Sequence, residues 1–247
     1  MQGFGVDIGG SGIKGCVVDL DQGTLVGERV RIPTPQPAHP DPVCDTVAEI
    51  VASFGWTERI GVTFPGVLKK GVAYTAANVD PSWLGTNLAA GVEERIPGTV
   101  QTLNDADAAG IAEMRYGAGR GHDGVVLMLT FGTGIGSALF TDGVLVPNTE
   151  FGHIQVDGED GERRASASAR EREDLSYPAW AKRVDRYLDV LEVGVWPDLI
   201  IVGGGVSKKA AKWVPLLSTR TPVVPAQLLN DAGIVGAALA AAEGIGH

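Results

Sequence analysis

The chain has 247 residues, of which 44% are hydrophobic and 20% are charged. This balance is typical of a folded soluble protein and excludes a disordered or fibrous chain. No apolar segment reaches the ~18 residues that a membrane-spanning helix needs, and the N-terminal residues lack the basic start of a signal peptide. The formal net charge of −10 argues against a nucleic-acid-binding protein, because such proteins carry basic surfaces.

The cysteine content indicates a reducing compartment. Cys16 and Cys44 are the two cysteines of the sequence, too few for a disulfide framework or for a four-cysteine zinc site. We therefore expect a cytoplasmic protein without a membrane or nucleic-acid partner.

Two glycine-rich segments, separated by about half the chain, repeat one pattern. Residues 10–26 read GSGIKGCVVDLDQGTLV, and residues 132–146 read GTGIGSALFTDGVLV. Each segment predicts a glycine-rich turn after one apolar strand, then a second strand, a polar turn and a third strand. Because these elements recur in the same order, a duplicated architecture is favoured over chance similarity between two glycine-rich hairpins.

Helices and strands alternate after each of these three-strand meanders. The predicted elements are, in chain order, a helix over 41–54, a strand over 59–64, a helix near 86–95, a strand over 99–103, a long helix filling much of 168–192, a strand over 198–204, a helix after Val206, a strand over 221–224 and a final helix over 232–242. The proline-rich residues 33–42 form a connector within the first half. This order predicts two mixed α/β sheet units with helices on their faces, and two such halves facing each other would enclose a central cleft.

The glycine-rich turns of both halves are candidate phosphate-binding loops. GSGIKG (10–15) matches the dinucleotide-binding pattern G-x-G-x-x-G, but a predicted strand follows it where that fold requires a helix, so a Rossmann assignment fails. Backbone N–H groups of a turn without Cβ atoms can still converge on an anion. One such hairpin would favour a structural turn, whereas two related copies favour phosphate binding. The residues expected to bind donor phosphates in these turns are Gly9, Gly10, Ser11, Gly12, Gly132, Thr133 and Gly134.

Charged residues and a third glycine cluster extend this candidate donor site. Asp7 precedes the first turn, and its carboxylate suits Mg²⁺ held through water. Lys14 either neutralises phosphate or only extends into solvent from an edge strand. The segment VGGGVSKK (202–209) follows an apolar strand, where α/β sheets bind ligands, although a tight strand-to-helix turn would also account for a glycine there. The residues expected to contact the donor here are Gly203, Gly204, Gly205 and Lys208.

Asn104 and Asp105 are the candidate catalytic residues. They stand between the strand over 99–103 and a helix that begins DADAAGIAEM, and either residue could simply cap that helix. A kinase that acts on an alcohol needs a carboxylate to accept the hydroxyl proton, and a neighbouring amide can hold adjacent hydroxyl groups. Asp107, within the helix, is expected to be structural.

Two polar clusters have the composition of a sugar site. Glu150 and His153 lie in the glycine-containing turn NTEFGH (148–153), and Asn78 lies in AANVDPSW (76–83) near an aromatic residue. Polar side chains that converge on adjacent hydroxyl groups provide sugar specificity. A lone histidine is usually structural, so the neighbouring glutamate is what makes His153 a candidate.

Together these motifs resemble a known superfamily. DIGGSGIKG (7–15), TFGTGIGSALF (130–140) and IIVGGGVSK (200–208) are similar to the two phosphate motifs and the nucleotide loop of the sugar-kinase, actin and heat-shock-chaperone ATPases. Segments that resemble the ROK family of repressors and sugar kinases are GVTFPG (61–66), NDADAAG (104–110) and EFGH (150–153). Segments that are similar to the actinobacterial polyphosphate glucokinases of that family, including the type that also accepts ATP and mannose, are TPQPA (34–38), AANVDPSW (76–83), LVPNTEFGH (145–153), RTPVVPA (220–226) and AGIVGAA (232–238).

The resemblance implies a two-lobed actin-like ATPase fold, also called ribonuclease H-like, with an N-terminal lobe over 1–106 plus about 229–247 and a C-terminal lobe over 107–228. It also implies a homodimeric enzyme that transfers a phosphoryl group from polyphosphate or ATP to the 6-hydroxyl of glucose with Mg²⁺. Asp105 is implied as the general base. The residues implied in sugar binding are Asn78, Asn104, Asp105, Glu150, His153 and Glu162.

The sequence departs from the family pattern at the zinc loop. Many ROK proteins carry a cysteine-rich zinc loop after the histidine motif, whereas residues 157–170 read DGEDGERRASASAR, so we expect no zinc site. An ATP-only glucokinase or mannokinase of the same family, and a non-catalytic sugar-sensing module, stay open as alternatives. The basic residues that could guide a polyphosphate chain are Lys14, the lysines within 208–212, Arg163, Arg164, Arg170 and Arg172.

Overall fold

Two sheets with the same strand order form the framework of the chain. A computed structural model describes residues 1–76 and 79–245. The chain divides into unit 1, Met1–Ala112 with Asp231–His247, and unit 2, Glu113–Asn230. Each unit contains one main mixed sheet.

The elements follow the chain in this order. The strands are β1 (Gln2–Ile8), β2 (Ile13–Asp19), β3 (Thr24–Leu25), β4 (Val30–Ile32), β5 (Ile60–Phe64), β6 (Leu68–Lys69), β7 (Val72–Ala73), β8 (Val100–Asn104), β9 (Val125–Phe131), β10 (Ile135–Thr141), β11 (Val144–Val146), β12 (Gln155–Val156), β13 (Glu159–Asp160), β14 (Leu199–Gly203) and β15 (Val223–Pro225). The α-helices are α1 (Pro40–Ser53), α2 (Leu88–Glu93), α3 (Asp105–Tyr116), α4 (Gly161–Ala165), α5 (Ala167–Arg172), α6 (Tyr177–Val195) and α7 (Ala232–Glu243). The 3₁₀ segments are Pro81–Trp83, Phe151–His153, Gly205–Lys212, Val214–Leu216 and Leu229–Asp231. Within the described residues, no helix has the length and hydropathy that a membrane span requires.

The two main sheets share one topology. In unit 1 the order is β3-β2-β1-β5-β8, with β4 also paired to β2, and in unit 2 it is β11-β10-β9-β14-β15. In each sheet the first three strands of the unit are antiparallel, and two later strands add in parallel to the first. The two glycine-rich segments form the β1–β2 and β9–β10 turns. The predicted α/β class with duplicated mixed sheets is therefore confirmed.

Helices cover both faces of the unit 1 sheet. A Cβ at Gly5 of β1 would overlap the backbone carbonyl of Ile234, so the glycine lets α7 lie directly on the strand. Successive strand residues point to opposite faces. Val6, the next residue, belongs to the buried core that contains Ile50 of α1. Hence α7 packs on one face and α1 on the other.

An aromatic cluster fixes the end of β9 in unit 2. The ring of Phe131 lies 5.9 Å from that of Trp180 in α6 and 5.7 Å from that of Trp213. All three side chains are buried. This packing holds the residue from which the second glycine-rich turn departs.

Most of the predicted elements are present with small shifts of their ends. The predicted helices over 41–54, near 86–95 and over 232–242 are α1, α2 and α7, and the four predicted single strands are β5, β8, β14 and β15. The strand β4 was not predicted.

The long helix predicted to fill much of 168–192 is α6, which covers 177–192 of that range, and a separate short helix, α5, precedes it. The chain forms α5 and α6 there, separated by residues 173–176. Asp174 adopts a left-handed φ of 47°, and the Ser176 hydroxyl oxygen caps α6 by accepting from the Ala179 N–H at 3.3 Å. Pro178, which lacks an N–H donor, fits the first turn of a new helix and not the interior of a long one.

The helix predicted after Val206 is present as a 3₁₀ segment and not as an α-helix. Residues Gly205–Lys212 form a 3₁₀ segment with non-helical dihedral angles at Lys209. The spacing of apolar residues in this stretch does not distinguish the two helix types, because both place such residues three to four apart.

Candidate active site

Three parallel strands of unit 1 end beside the first glycine-rich turn. Asp7 of β1 pairs with Thr63 of β5, and Phe64 of β5 pairs with Asn104 at the end of β8. The carboxyl ends of parallel strands are where α/β sheets bind ligands. Asp7, the first turn and Asn104 therefore lie at one edge of the unit 1 sheet.

Asp7 is held by two neighbouring side chains. Its Oδ1 accepts a hydrogen bond from the Thr63 hydroxyl at 2.9 Å, and the Lys14 ammonium lies 3.4 Å from its Oδ2. The Asp7 side chain is 18% exposed. A hard carboxylate that is fixed in this way and still reaches solvent fits a Mg²⁺ ion that keeps most of its waters.

The first glycine-rich turn is closed by its own backbone and by side chains that follow β2 along the chain. Gly9 N–H donates to the Gly12 carbonyl at 3.2 Å. Arg31 of β4 donates to the Ser11 carbonyl at 2.9 Å, and the Thr34 hydroxyl donates to the Gly9 carbonyl at 2.5 Å. The Arg31 guanidinium lies so close to Gly12 that a Cβ there would be 2.6 Å from it. Arg31 was not predicted, and it places a positive charge on the first turn.

Asn104 and Asp105 lie at the junction of β8 and α3, as the sequence predicts. Asn104 is buried, and its Oδ1 accepts from the N–H groups of Ala106 at 2.8 Å and Asp107 at 3.1 Å. Its Nδ2 donates to the Gly66 carbonyl at 3.2 Å. Asp105 is partly exposed, and its Oδ1 accepts from the Ala106 N–H at 2.8 Å. Asn104 therefore caps the helix, and the Asp105 carboxylate stands beside the cap at the sheet edge.

The second glycine-rich turn is fastened to α5 in unit 2. The Ser168 N–H donates to the Gly132 carbonyl at 3.1 Å, and the Ser168 hydroxyl donates to the Thr133 carbonyl at 2.6 Å. Gly132 and Thr133 are both exposed. The turn is thus fixed from its carbonyl side by the start of a helix.

Glu162 supports the same turn from another direction. Its Oε2 accepts from the Ile135 N–H at 3.1 Å, and a Cβ at Gly134 would overlap that carboxylate. Asp160 caps α4 by accepting from the Glu162 N–H at 3.2 Å. The residue predicted to contact sugar therefore also shapes a predicted phosphate loop.

The third glycine cluster lies beside the second turn. Gly203 of β14 pairs with Thr130 of β9, because the two strands are parallel neighbours. Gly204 has a φ of 81°, and a Cβ there would overlap the backbone carbonyl of Phe131. Lys208 is exposed five residues after Gly203. Turn residues 132–134 and 203–205 therefore share the carboxyl edge of the unit 2 sheet.

The turn that carries Glu150 and His153 is anchored to β10 and α6. The Phe151 N–H donates to the Ser137 hydroxyl oxygen at 3.0 Å, and the Tyr187 hydroxyl donates to the Phe151 carbonyl at 3.0 Å. Tyr187 is fully buried. The structure thus holds the Glu150 and His153 backbone firmly while leaving the two side chains accessible.

The two side chains of this turn have shifted acidities. Burial raises the pKa of the Glu150 carboxyl group, although the nearby His153 opposes the shift. The hydrogen bond with Asp160 raises the pKa of the His153 imidazole. His153 Nδ1 lies 3.0 Å from Asp160 Oδ2, and its Nε2 lies 3.9 Å from Glu150 Oε2. Asp160 was not predicted as a site residue, and its position four residues after Val156 gave no sequence signal.

Three side chains of this region have donor atoms close enough to hold one metal ion. One atom each from His153, Asp160 and Glu162 lie within 4.8 Å of one another. An imidazole with two carboxylates is a donor set that divalent cations accept. The absence of a zinc site stays a prediction, and these are the residues to which a metal analysis should be directed.

The raised pKa of His153 predicts a pH-dependent contribution to stability. The folded pKa lies above the ordinary 6.5, so the contribution is complete below that value and is lost as the pH rises through the folded pKa. Since the side chain is 55% exposed, we expect less than about 1 kcal/mol. In urea unfolding, His153→Gln should cost stability at about pH 5.5 and little at about pH 8.5.

His122 offers a matched control because it is exposed on the surface of unit 2. His122→Gln should leave the free energy of unfolding the same at both pH values. An equal loss at both pH values in His153→Gln would contradict an electrostatic contribution from the imidazole.

The candidate basic residues fall into separate groups. Lys14 pairs with Asp7 in unit 1. In unit 2 a cavity of about 840 Å³ is lined by Gln155, Gly158, Glu159, Asp160, Arg163, Arg164, Arg172, Glu173 and Arg183. Arg170 and Lys212 instead flank the ring of Tyr177, with 4.7 Å and 5.6 Å to its centroid. Asn78, also predicted in the sugar site, lies outside the described residues.

Comparison with known proteins gives a family and several similar structures. A family model described as the ROK family matches residues 3–172. A polyphosphate glucokinase from Mycobacterium tuberculosis is 58% identical over 99% of this chain and 93% of its own length.

Two solved structures resemble this one. An inorganic polyphosphate/ATP-glucomannokinase from Arthrobacter sp. strain KM has a TM-score of 0.94 and 52% identity, covering 98% of this chain and 99% of that chain. A ROK family glucokinase from Streptomyces griseus, in complex with glucose and AMPPNP, has a TM-score of 0.83 and 27% identity, covering 98% and 100%. These matches confirm the actin-like ATPase fold class expected from the sequence.

Proposed function

This chain belongs to the ROK family, and from that premise we propose that it is a kinase that transfers a phosphoryl group from inorganic polyphosphate to the 6-hydroxyl of glucose. ATP is proposed as a second donor and mannose as a second acceptor. The observation that carries the proposal lies in unit 1. Asp7, the first glycine-rich turn and the Asn104–Asp105 pair meet at one sheet edge, which supports their assignment as cation ligand, phosphate loop and base.

Asp105 is proposed as the general base. The oxygen of the glucose 6-hydroxyl attacks the terminal phosphorus of the donor, and the proton of that hydroxyl passes to the Asp105 carboxylate. The bond between that phosphorus and the bridging oxygen breaks, so the donor leaves one phosphate shorter. Asn104 positions the base because it caps α3, the helix whose first residue is Asp105.

Phosphate binding is assigned to the three glycine clusters. Residues 9–12 and 132–134 are proposed to contact donor phosphates through backbone N–H groups other than those of Gly9 and Gly132, which already donate within their turns. Residues 203–205 with Lys208 are proposed to contact the rest of the donor. Gly132, Gly204 and Gly205 are exposed, and the absence of Cβ atoms allows close approach of an anion. In phosphoryl transfer such contacts provide positioning and charge stabilisation, which supply most of the catalysis.

Sugar binding is assigned to Asn104, Glu150, His153 and Glu162, and to Asn78. Glu150 and His153 lie on a turn that β10 and α6 hold in place. A carboxylate accepts hydrogen bonds from sugar hydroxyls, whereas a protonated imidazole donates them. The hydrogen bond between His153 and Asp160 therefore fixes the orientation of one sugar contact.

Mg²⁺ is proposed at Asp7, whose carboxylate fits the ion. When bound, Mg²⁺ neutralises charge on donor phosphates. Asp7 would hold it through water, and Lys14 would share the phosphate charge. We further propose a cytoplasmic location, since Cys16 and Cys44 are both buried and unpaired, as expected in a reducing compartment. A homodimer is proposed from the family resemblance alone.

The experiment that tests the reaction class compares two sugar acceptors, and it compares activity with and without Mg²⁺. Purified protein is given Mg²⁺, either ATP or polyphosphate as donor, and glucose or mannose as acceptor, and sugar phosphates are separated by chromatography. The proposal predicts hexose 6-phosphate from glucose, and loss of product when a chelator removes Mg²⁺. Calorimetric glucose binding without product under any donor would instead support a sugar-sensing module.

A further inference from the structure

Three separate elements of unit 2 bring two cations to one aromatic ring. Arg170 on α5 and Lys212 at the end of the 3₁₀ segment lie 4.7 Å and 5.6 Å from the ring centroid of Tyr177, the first residue of α6. We call Arg170, Tyr177 and Lys212 the Tyr177 cation site. Cation–π contact with a tyrosine stabilises each charge only modestly at an exposed position.

The positive charge at this site is poorly compensated. Among the residues that the structure describes, no carboxylate lies within 4.0 Å of Lys212 or of the neighbouring Lys208 and Lys209. Arg170 has one carboxylate partner, Glu171 at 3.6 Å, whose side chain is 71% exposed, and the Arg170 side chain itself is 22% exposed. Its Nη1 also donates to the Leu175 carbonyl at 3.2 Å. Cations that share a surface repel one another, so a bound anion gains free energy there. This concentration of cations runs against the net charge of −10.

The two chain segments that carry Arg170 and Lys212 both start at turns to which the donor is proposed to bind. Ser168, two residues before Arg170, donates two hydrogen bonds to the second glycine-rich turn. Lys212 ends the segment that begins at Gly205, the last glycine of the third cluster, and that segment bends at Lys209. A donor bound at these turns would therefore lie where both of these chain segments begin.

We infer that the Tyr177 cation site binds phosphate groups of a polyphosphate donor, beyond those held in the glycine-rich turns. The inference rests on the proposed use of polyphosphate. Each cation that contacts a polyanion displaces bound counterions and so adds affinity. A nucleoside triphosphate carries an uncharged nucleoside in place of further phosphates, so the same cations favour polyphosphate over ATP.

The arginines around the cavity of unit 2 form a different environment. Arg183 lies 2.6 Å from Glu173, and Arg172 lies 3.3 Å from the same residue. Glu159 and Asp160 also line the cavity. Carboxylates therefore already compensate much of this positive charge. Lys182, an exposed lysine of α6 that is not among the candidate polyphosphate contacts, serves as the matched control for removal of one cation.

The test measures donor kinetics in variants of the Tyr177 cation site. We expect Lys212→Ala to raise the KM for long-chain polyphosphate by about three- to tenfold and the Arg170→Gln/Lys212→Ala double variant by more, with little change in kcat. The slope of log KM against log salt should fall by about 1 for each phosphate group that the variant no longer binds. Lys212→Arg should restore most of the affinity, and Lys182→Ala should behave as the unaltered protein. Thermal unfolding checks that the variant carrying Arg170→Gln is folded. Because Lys212 is exposed, Lys212→Ala tests the inference even if the Arg170 variant does not fold.

The outcomes separate this inference from the proposed function. An unchanged KM and salt slope in Lys212→Ala and in the double variant overturn the inference while polyphosphate turnover stands. An equal rise in KM in Lys182→Ala also overturns it, because charge anywhere on the surface would then suffice. If the unaltered protein neither turns over nor binds polyphosphate in calorimetry, the proposed donor fails and the inference fails with it.

Discussion

Replacing Asp105 by asparagine is expected to lower kcat for glucose phosphorylation by about 10²–10⁴-fold. The amide keeps the shape of the side chain and an oxygen for the Ala106 N–H, which lies 2.8 Å from Asp105 Oδ1, but it cannot accept the hydroxyl proton. The helix cap belongs to Asn104, so α3 stays formed. Steady-state rates and a glucose-binding isotherm measure the two properties separately.

Asp189→Asn is the matched control for this substitution. Asp189 is 51% exposed on α6, and its ion-pair partner, Arg186, is 4.0 Å away. The control should retain kcat, whereas Asp105→Asn should retain glucose binding and lose turnover. Turnover within a few-fold of normal in Asp105→Asn would remove Asp105 as the base.

Gly204→Ala is expected to lower the stability of unit 2 by about 3 kcal/mol and to raise the KM for the donor. The position has a φ of 81° and abuts the backbone carbonyl of Phe131, so a methyl group meets both backbone strain and an atom that cannot yield easily. The displaced loop also borders the second glycine-rich turn. The urea midpoint, followed by the fluorescence of the buried tryptophans, measures the stability change.

The adjacent glycine provides the control for stability. A Cβ at Gly205 would have no neighbour within 4 Å, so Gly205→Ala should move the urea midpoint much less. Equal urea midpoints for Gly204→Ala and the unaltered protein would show that the loop accommodates a methyl group without loss of stability. That result would contradict the close packing of Gly204 on β9.

Local patterns in the sequence were sufficient for much of the framework. Glycine-rich turns between apolar strands carry their signal within a few residues, so both hairpins and the junction at Asn104 and Asp105 could be predicted. The break between α5 and α6 was missed because helical periodicity resumes on both sides of residues 173–176, although Ser176 and Pro178 supplied a helix-start signal.

The residues that support the candidate site could not be predicted from local sequence patterns. They make contacts with other segments of the chain, and these contacts form only when the chain is folded. Arg31 reaches the Ser11 carbonyl from a short edge strand, and Asp160 meets His153 through a two-stranded hairpin. No spacing in the chain predicts either contact. The predicted basic residues likewise separated into a carboxylate-compensated cavity and the Tyr177 cation site only when the helices that carry them were placed.

The most direct test of the proposed function is a reaction without nucleotide. Protein freed of bound nucleotide is incubated with glucose, Mg²⁺ and inorganic polyphosphate, and ³¹P NMR follows both donor and product. We expect a glucose 6-phosphate signal that grows in step with loss of internal phosphate from the polyphosphate chain, and Asp105→Asn should slow both by about 10²–10⁴-fold. Product with ATP and none with polyphosphate would contradict the proposed donor and leave an ATP-dependent kinase of the same family.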